Sequence, residues 1–396
     1  MVDAPIYLDC HSTTPCDPRV ADALIPYLTR DFGNAASRTH AFGWKASEAV
    51  ESAREQLAAL IGADPREIVF TSGATESNNL ALRGAALALR ERGDHIVSCV
   101  TEHRAVLDPL AELVREGFRV TRLPVRSDGL LDLAELEAAL EPRTVLISIM
   151  HANNEIGVLQ DLAAIGRLAR ARDIVLHSDA AQSVGKVPVD VRQLGVDLLA
   201  FTAHKLYGPK GVGALYVRRR RPPLRLVPLL HGGGHEGGLR SGTLPVALCV
   251  GFGEACRIAG AELADEAARV AALRDALLAR LQSALEGVEL NGHAEQRLPG
   301  NLNVSFAGVE AEALLLATPE VALSTGSACT SSKPEPSHVL RALGLDAMRA
   351  LASVRFGVGR FTTAAEIDAA AQALARQVQR LRELSPAWER RRRRGH

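Results

Sequence analysis

Short apolar runs alternate with longer amphipathic stretches through the middle of the chain. The apolar runs lie at residues 68–70, 95–98, 144–148, 174–176, 198–201 and 213–216. This alternation predicts an α/β fold in which a mostly parallel sheet is covered by helices on both faces. Because active-site groups in such folds lie beyond the carboxyl ends of the strands, the residues that follow each run are the first candidates for chemistry.

A second pattern begins after the last of these runs. Apolar residues between Glu254 and Leu285 recur at steps of three, four and seven, which is typical of a long amphipathic helix. Beyond it, a strand-like segment at 302–306, a polar loop at 324–337 and a helical tail indicate a smaller C-terminal α/β unit. We therefore expect a large domain and a small domain that the long helix joins.

Length, charge and hydropathy restrict the class of protein. The 396 residues suffice for two or three domains, and 46 basic residues against 46 acidic ones give a net charge of zero. A neutral chain has no general attraction for nucleic acid or for an anionic membrane surface. No apolar run approaches the roughly 18 residues of a membrane span, and the N-terminus has no apolar core of signal-peptide length. We expect a cytoplasmic protein whose partners are small molecules or other proteins.

Cysteine and lysine usage narrows the candidate chemistry. The six cysteines, at positions 10, 16, 99, 249, 256 and 329, form no C-x-x-C pair, which argues against a disulfide framework and a zinc site. Cys10, His11 and Cys16 are irregularly spaced, so we interpret them as core or loop residues and predict no metal. The chain contains only five lysines, so a catalytic amine has few candidates.

Polar residues follow four of the predicted strands. Residues 71–76 form a small-residue turn and a helix start, which suits either a phosphate or, as this segment alone favours, an ordinary helix cap. His103, Asp179 and Lys205 follow three further runs. Pyridoxal phosphate needs an anchored phosphate, a planar group against its ring, a carboxylate at its ring nitrogen and a lysine amine. The four strand ends together therefore indicate a pyridoxal-phosphate enzyme.

Seven longer stretches carry a resemblance to a known family. They extend over nearly the whole chain, at residues 7–15, 33–43, 71–78, 153–157, 204–211, 239–243 and 324–330. In these stretches the sequence resembles the cysteine desulfurases of the class V aminotransferase family. The resemblance implies the type I pyridoxal-phosphate transferase fold, with a large cofactor-binding domain of residues 15–255. Residues 1–14 and 256–396 would form the small domain, which carries a catalytic-cysteine loop at 324–337.

The resemblance also implies roles around the cofactor. Lys205 would bind the cofactor covalently, and Asp179 would pair with the pyridine nitrogen. Gln182 would contact the ring hydroxyl oxygen, while His103 would stack on the ring and move protons. The phosphate would be held by a further set of residues, namely Ala74, Thr75, Thr202, His204 and, reaching across from a second subunit, Thr243.

Substrate and sulfur have their own candidate residues. Asn154 and Arg355 would clamp the carboxylate of L-cysteine, a task that suits the bidentate fork of a guanidinium. Cys329 would accept the sulfur, and its neighbours, which are Gly, Ser, Thr, Pro and one lysine, favour an accessible, reactive thiol over a core residue. The length of this segment resembles the long-loop desulfurases, in which the cysteine carries sulfur to an acceptor protein such as an iron–sulfur scaffold.

The hypothesis is a homodimeric cysteine desulfurase that converts L-cysteine to L-alanine and leaves a persulfide for iron–sulfur cluster assembly or thiolation. A selenocysteine lyase, or another class V pyridoxal-phosphate lyase or transaminase, is the nearest alternative. A non-catalytic docking subunit is a further one, which the presence of Lys205, Asp179 and Cys329 disfavours. The chain departs from the usual family pattern at His235, Gly237 and Gly357, none of which is a candidate site residue.

Overall fold

The computed structural model describes residues 5–325, 336–385 and Trp388. Its strands are β1 (Ile6–Tyr7), β2 (Ile68–Thr71), β3 (His95–Cys99), β4 (Arg119–Leu123), β5 (Thr144–Ser148), β6 (Val175–Asp179), β7 (Leu198–Thr202), β8 (Gly213–Val217), β9 (Val288–Leu290), β10 (Asn301–Phe306), β11 (Val321–Ala322) and β12 (Ser353–Gly357).

The helices connect these strands in an alternating order. They are α1 (Pro18–Leu24), α2 (Pro26–Thr29), α3 (Ala41–Ile61), α4 (Ala74–Ala88), α5 (Arg104–Arg115), α6 (Leu133–Ala139), α7 (Leu162–Ala171), α8 (Val191–Leu194), α9 (Val246–Ala284), α10 (Ala311–Ala317), α11 (His338–Ala342), α12 (Ala347–Leu351) and α13 (Ala364–Glu383). Short 3-10 helices lie at Pro65–Glu67, Ala203–Lys205 and Glu236–Gly238.

A seven-stranded sheet forms the centre of the larger part of the molecule, in the order β2-β8-β7-β6-β5-β3-β4. Its strands run parallel except β8, which is antiparallel to both β2 and β7. One face packs against α3, α7 and α9, and the other packs against α4 and α5. Both faces are therefore covered, and the α/β fold with a mostly parallel sheet that the sequence predicts is confirmed.

Two smaller sheets enclose a separate apolar core. The antiparallel sheet β12-β10-β9 and the parallel pair β1-β11 surround this core together with α13 and the second half of α9. The 39 residues of α9 supply Phe252 to the core of the large sheet and Leu277 to the core of the small ones. The long helix thus connects the two cores, as its periodicity predicts. No helix in the described part of the chain is long and apolar enough to cross a membrane.

All six predicted apolar runs are strands, with ends that differ by at most three residues. The long helix begins at Val246, eight residues before its predicted start. Its first turns are apolar or glycine on several sides because they pack closely against α3, so no periodic pattern marks them. A Cβ at Gly253 would lie 2.7 Å from the Cα of Ala53, which explains why only glycine fits there.

Candidate active site

The carboxyl ends of four strands meet at one edge of the large sheet. β6 ends at Asp179, and its neighbour β7 ends at Thr202, which the short helix Ala203–Lys205 follows. Thr71 and Thr202 both pair with Gly213, so the carboxyl end of β2 lies at the same edge. His103 begins the helix that follows β3, a parallel strand of this sheet. The side chains that follow these strands therefore face a common region.

The start of α4 offers backbone N–H groups beside this edge. Gly73, at the N-cap position, provides no side-chain cap, so the first turn keeps its N–H groups and the positive end of the helix dipole. A Cβ at Gly213 would lie 2.6 Å from the Cα of Gly73, and a Cβ at Gly73 would lie 3.9 Å from Thr202 Oγ1. Glycine at 213 thus allows the helix start to approach the sheet next to Thr202. Ala74 is half-buried and Thr75 is exposed in this turn.

Among the residues that the structure describes, no carboxylate accepts a hydrogen bond from Lys205. Its Nζ donates to the carbonyl oxygens of His11, at 2.5 Å, and Ser12, at 2.6 Å. Burial lowers the pKa of Lys205 to about 7, and the positive charge of Lys186 acts in the same direction. A large fraction of the amine is therefore neutral near pH 7, which is the form that attacks carbonyl groups.

The Asp179 carboxylate is buried and accepts one hydrogen bond on each oxygen. Oδ2 accepts from Nδ2 of Asn78 at 2.7 Å, and Oδ1 accepts from the N–H of Ala181 at 2.9 Å. An ionised carboxylate has about four lone-pair positions, so these two donors leave acceptor capacity on the side chain. This arrangement can bind a protonated ring nitrogen.

Gln182 is held from both ends of its amide. Its Oε1 accepts from His11 Nδ1 at 3.0 Å and from Lys186 Nζ at 3.3 Å, and its Nε2 donates to the carbonyl of His11 at 2.9 Å. Burial keeps the pKa of His11 well below its usual value, so the ring is neutral and carries its proton on Nδ1. The second N–H of Gln182 Nε2 is thus the group that the side chain can offer to an oxygen acceptor.

His103 is exposed, in contrast to the buried Asp179. Its Nδ1 accepts from the N–H of Ala105 at 3.1 Å and caps α5, so the neutral ring carries its proton on Nε2. The neighbouring Glu102 is fully buried, and burial raises its pKa well above the usual range. The carbonyl of Glu102 accepts from His338 Nε2 at 3.1 Å, which links this segment to the helix after the polar loop.

Arg355 lies in β12 and reaches the N-terminal segment. Its Nη2 donates to Asp9 Oδ1 at 2.9 Å and to Ser12 Oγ at 2.6 Å, while its Nη1 donates to the carbonyl of Asn154 at 3.0 Å. The Nε atom is buried and has no hydrogen-bond partner among the described residues. A fixed guanidinium with an unused N–H is suited to a carboxylate. Asn154 contacts Arg355 through its backbone, which leaves its amide side chain for another partner.

The glycine-rich segment 231–243 is attached to the large sheet at two points. The buried Glu236 accepts from Arg54 at 2.8 and 2.9 Å and from the N–H of Phe70 at 2.7 Å. Arg240 donates to Glu76, in the first turn of α4, at 2.9 Å. Thr243 is exposed just beyond this second attachment. Its contact with a second subunit stays a prediction.

His204 lies between the phosphate candidates and the N-terminal segment. Its Nδ1 is 3.1 Å from Thr13 Oγ1. Burial lowers the pKa of His204 to about 4, and the nearby lysines contribute in the same direction. The ring is therefore neutral at pH 7 and can donate one hydrogen bond without adding charge.

Cys329 lies outside the described residues, as does the rest of 326–335. The described ends of the predicted loop are next to the Arg355 segment. Arg355 donates its N–H to the carbonyl of Ser324 at 2.8 Å, and Ser337 Oγ donates to Glu155 at 2.5 Å. Burial raises the pKa of Glu155 to about 7. Both ends of the loop are thus attached beside Asn154 and Arg355.

The groups present fit pyridoxal phosphate. The uncapped α4 start with Thr202 suits its phosphate, and the buried Asp179 suits its ring nitrogen. Lys205 supplies an amine that is hydrogen-bonded to two backbone carbonyls. Sequence reasoning named these residues but assigned no role to Asp9, Ser12, His11 or Asn78. The first three come from the N-terminal segment, and only the folded chain brings them to the sheet edge. All four fall within the stretches at 7–15 and 71–78 that resemble the family, but spacing alone shows none of these contacts.

The comparisons with known proteins agree with this geometry. The sequence model of the aminotransferase class-V family matches residues 6–370. A cysteine desulfurase IscS of Vibrio campbellii is 58% identical over 387 residues, which cover 97% of this chain and 95% of that protein. A cysteine desulfurase IscS of Tolumonas auensis is 59% identical with the same coverage.

Solved structures show the same fold. A NifS-like protein superposes with a TM-score of 0.88 at 36% identity, and the aligned residues cover 95% of this chain and 99% of that protein. DndA from Streptomyces lividans superposes with a TM-score of 0.77 at 44% identity, and the aligned residues cover 91% of this chain and 99% of that protein. A structure of SspA in complex with cysteine has a TM-score of 0.80 at 37% identity, with 90% and 100% covered. The chain belongs to the class-V aminotransferase family, in its cysteine desulfurase group.

Proposed function

We propose that this protein is a pyridoxal-phosphate-dependent cysteine desulfurase that converts L-cysteine to L-alanine and transfers the sulfur to Cys329. The observation that carries the proposal is the convergence, at one sheet edge, of the Lys205 amine, the buried Asp179 carboxylate and the uncapped start of α4. The high identity to cysteine desulfurases over almost the full chain supports the choice of reaction. The structure of SspA with cysteine supports L-cysteine as the substrate class.

Seven side chains and one helix start would hold the cofactor. Lys205 would bind it covalently, Asp179 would pair with its ring nitrogen, and Gln182 would donate its second N–H to the ring oxygen. The N–H groups of Ala74 and Thr75 would hold the phosphate, with Thr202 and His204 as side-chain donors and Thr243 contributed by a second subunit. His103 would stack on the ring. When bound, pyridoxal phosphate supplies a protonated ring that accepts the electrons released at the substrate Cα.

The remaining residues orient the substrate and move its proton. Arg355, through its unused Nε–H, and the Asn154 amide hold the substrate carboxylate. Lys205 Nζ removes the Cα proton, because an amine with a pKa of about 7 is available as a base at neutral pH. The Cys329 thiolate then attacks the substrate sulfur. The carbon–sulfur bond breaks with its electrons left on carbon, the carbon is protonated, and alanine and a Cys329 persulfide result.

The proposal includes the domain organisation and assembly. The two apolar cores joined by α9 support a large domain of residues 15–255 and a small domain of residues 1–14 and 256–396. A homodimer with shared sites would let Thr243, which is exposed in the single chain, complete the phosphate site. The persulfide would pass to an acceptor protein, such as an iron–sulfur scaffold, in the cytoplasm.

The direct test is to incubate the purified protein, loaded with pyridoxal phosphate, with L-cysteine and a reductant. We expect equal yields of alanine and sulfide, because one carbon–sulfur bond breaks for each alanine formed. Pyruvate in place of alanine would point to a lyase of the same family. A greater activity with L-selenocysteine than with L-cysteine would favour the selenocysteine lyase alternative.

Replacing Cys329→Ser separates the two halves of this reaction. A hydroxyl stays protonated near neutral pH and is a poor sulfur nucleophile, so the variant should lose persulfide and almost all alanine formation. Its visible spectrum should still change on addition of L-cysteine, because the Lys205 and Asp179 groups are intact. Cys16→Ser removes an exposed thiol elsewhere and serves as the matched control, with activity like the parent. Alanine formation by Cys329→Ser at the parent rate would exclude Cys329 as the acceptor.

A further inference from the structure

A chain of three buried side chains lies behind the Asp179 carboxylate. Asn78 of α4 donates from Nδ2 to Asp179 Oδ2 at 2.7 Å, and Asn78 Oδ1 is 3.1 Å from Nε2 of His177. The Nδ1 atom of His177 is 2.9 Å from Oγ of Ser148. The chain thus connects β5, β6 and the helix that begins at the phosphate candidates.

The positions of the protons on Asn78, His177 and Ser148 follow from the fact that the Asp179 carboxylate can only accept hydrogen bonds. An ionised carboxylate only accepts, so the NH₂ group of Asn78 must face Asp179 and the amide oxygen must face His177. The Nε2 atom of His177 must then carry the ring proton and donate it to that oxygen. Nδ1 is left as an acceptor, and the hydroxyl of Ser148 donates to it. One arrangement of donors and acceptors therefore satisfies every contact in the chain.

Because the three side chains are buried, breaking any of these hydrogen bonds would cost free energy. Asn78, His177 and Ser148 are each 0% exposed, so none of them can exchange a lost partner for bulk water. Burial also lowers the pKa of His177 to about 3, so the ring is neutral at any pH where the protein would work. The chain thus orients the Asp179 carboxylate through neutral donors, and it places no cation there that would compete with a cationic ring nitrogen.

We propose that Asn78 and His177 are positioning residues of the cofactor site, which hold the Asp179 carboxylate oriented toward the pyridine nitrogen. Asn78 acts directly on Asp179, and His177 acts by fixing the orientation of the Asn78 amide. Ser148 in turn fixes the tautomer of His177. The inference rests on the proposed function, because it gives Asp179 the ring nitrogen as its partner.

The first test needs no cofactor. In apoprotein labelled with ¹⁵N-histidine, the His177 signals should show a neutral ring protonated at Nε2 from pH 5 to pH 8. In the Asn78→Leu variant, which keeps the size but removes both contacts, those signals should change. A charged ring, or a ring protonated at Nδ1, in the parent protein would overturn the proposal.

The second test measures the dissociation constant for pyridoxal phosphate by absorbance titration of the apoprotein. We expect Asn78→Leu to weaken binding by about tenfold or more, since a hydrogen bond to a charged group is lost and the carboxylate is left underpartnered. His177→Leu should weaken binding less, and Ser148→Ala least, because each acts one step further from Asp179. Should Asn78→Leu fail to fold, the order of the other two variants still tests the chain.

A buried asparagine outside the site is the matched control. Asn291 is 1% exposed and donates to Asn303, Ser305 and Ser353 in the small sheet. Asn291→Leu should lower the denaturant midpoint and leave the dissociation constant within twofold of the parent value. Equal loss of cofactor affinity in Asn291→Leu and Asn78→Leu would show a general effect on stability and overturn the positioning role.

The two proposals fail in different ways. If the parent apoprotein does not bind pyridoxal phosphate, the proposed function is wrong and the role of Asn78 falls with it. If the parent binds the cofactor but Asn78→Leu binds it within twofold of the parent value, the proposed function stands and this inference is wrong.

Discussion

At the scale of single residues, the environment of Lys205 determines what the site can do. Two backbone carbonyls accept from its Nζ, whereas an aspartate or glutamate in that position would hold the amine as a cation. Lys186 lies close by, half-buried, and desolvation lowers its pKa to about 8. Two partly buried amines that repel each other's charge make the neutral form of Lys205 accessible at physiological pH.

The pH dependence of cofactor capture tests this account of Lys205. Only the neutral amine reacts, and the neutral fraction grows as pH rises through the pKa of about 7. The rate at which apoprotein captures pyridoxal phosphate should therefore increase about tenfold from pH 6 to pH 8 and then level off. Stopped-flow absorbance gives the rate. In Lys186→Met the midpoint should move to higher pH, because the repelling charge is gone.

An ordinary lysine would give a different profile. With the usual pKa near 10.5, the rate would continue to rise about tenfold per pH unit through pH 8 and beyond. Such a profile in the parent protein would contradict the assignment of burial as the cause.

At the scale of elements, the site depends on how two segments are attached to the sheet. The start of α4 approaches the sheet because Gly213 has no Cβ, which would lie 2.6 Å from the Cα of Gly73. The glycine-rich segment 231–243 is held by the Glu236–Arg54 ion pair, in which the side chains are 2% and 10% exposed. The Arg54 guanidinium also lies over the ring of Phe70, 4.8 Å from its centroid. This buried pair fixes the segment that presents Thr243.

Removing one partner of the Glu236–Arg54 pair should lower the free energy of unfolding. Arg54→Met leaves the Glu236 carboxylate buried without its cation, and breaking a buried pair in this way costs about 3–5 kcal/mol of unfolding free energy. Arg54→Met combined with Glu236→Gln should recover part of that loss, because the uncompensated charge is gone. Denaturant unfolding measures both variants.

The exposed pair between Arg257 and Glu254 on α9 provides the control. The Arg257 side chain is 55% exposed, so Arg257→Met should have little effect on stability. A similar loss in Arg257→Met and Arg54→Met, or a double variant less stable than Arg54→Met alone, would contradict the role given to the buried pair.

Sequence patterns predict the central strands because these strands are buried along their whole length. β5 and β7 are buried at every position, so their apolar residues form short unbroken runs. β4 was not predicted, since it lies at the sheet edge and its sequence, Arg-Val-Thr-Arg-Leu, is half exposed. The two-residue strand β1 is too short to produce a pattern, yet it brings Asp9 and Ser12 to Arg355.

Apart from the residues that the family resemblance implies, the candidate site could be predicted only where a strand end marks it. Asp179 ends one buried strand and Lys205 closely follows another, so the parallel-sheet rule makes them candidates. His11 and Asn78 reach the same region from a loop and from the second turn of a helix. Their contacts with Gln182 and Asp179 join residues about 100 to 170 positions apart, and a local sequence pattern cannot predict contacts between residues so far apart.

At the scale of the whole molecule, the site draws on both cores. Asp179 lies in the large sheet and Lys205 and His103 follow two of its strands, whereas Arg355 belongs to β12 of the small one. Arg360, close after β12, pairs with Asp17 at 2.8 Å and with Glu266 of α9 at 2.7 Å, and lies over the ring of Tyr207, 4.3 Å from its centroid. These contacts connect the small core to the segment that follows Lys205. The relative position of cofactor and substrate groups therefore depends on the packing of the two cores.

The proposed dimer makes a further prediction that uses whole subunits. In a dimer with shared sites, each site takes Lys205 from one subunit and Thr243 from the other. When Lys205→Ala and Thr243→Ala proteins exchange subunits, each mixed dimer has one site with both lesions and one site with neither. With equal amounts and random exchange, about half of the dimers are mixed, so activity should return to about a quarter of the parent value. Alanine formation before and after exchange measures this.

A mixture of Lys205→Ala and Asp179→Ala proteins serves as the control, because a single subunit supplies both of these residues to each site. Lys205 and Asp179 come from the same chain, since their strands β6 and β7 are neighbours in one sheet. Mixed dimers of Lys205→Ala and Asp179→Ala therefore have one lesion in every site and should stay inactive. Recovery in both mixtures would show that subunit exchange repairs activity for another reason. The absence of recovery in the first mixture, with exchange verified by mass spectrometry of differently tagged chains, would show that Thr243 serves the site of its own subunit, to whose α4 helix Arg240 already attaches the glycine-rich segment.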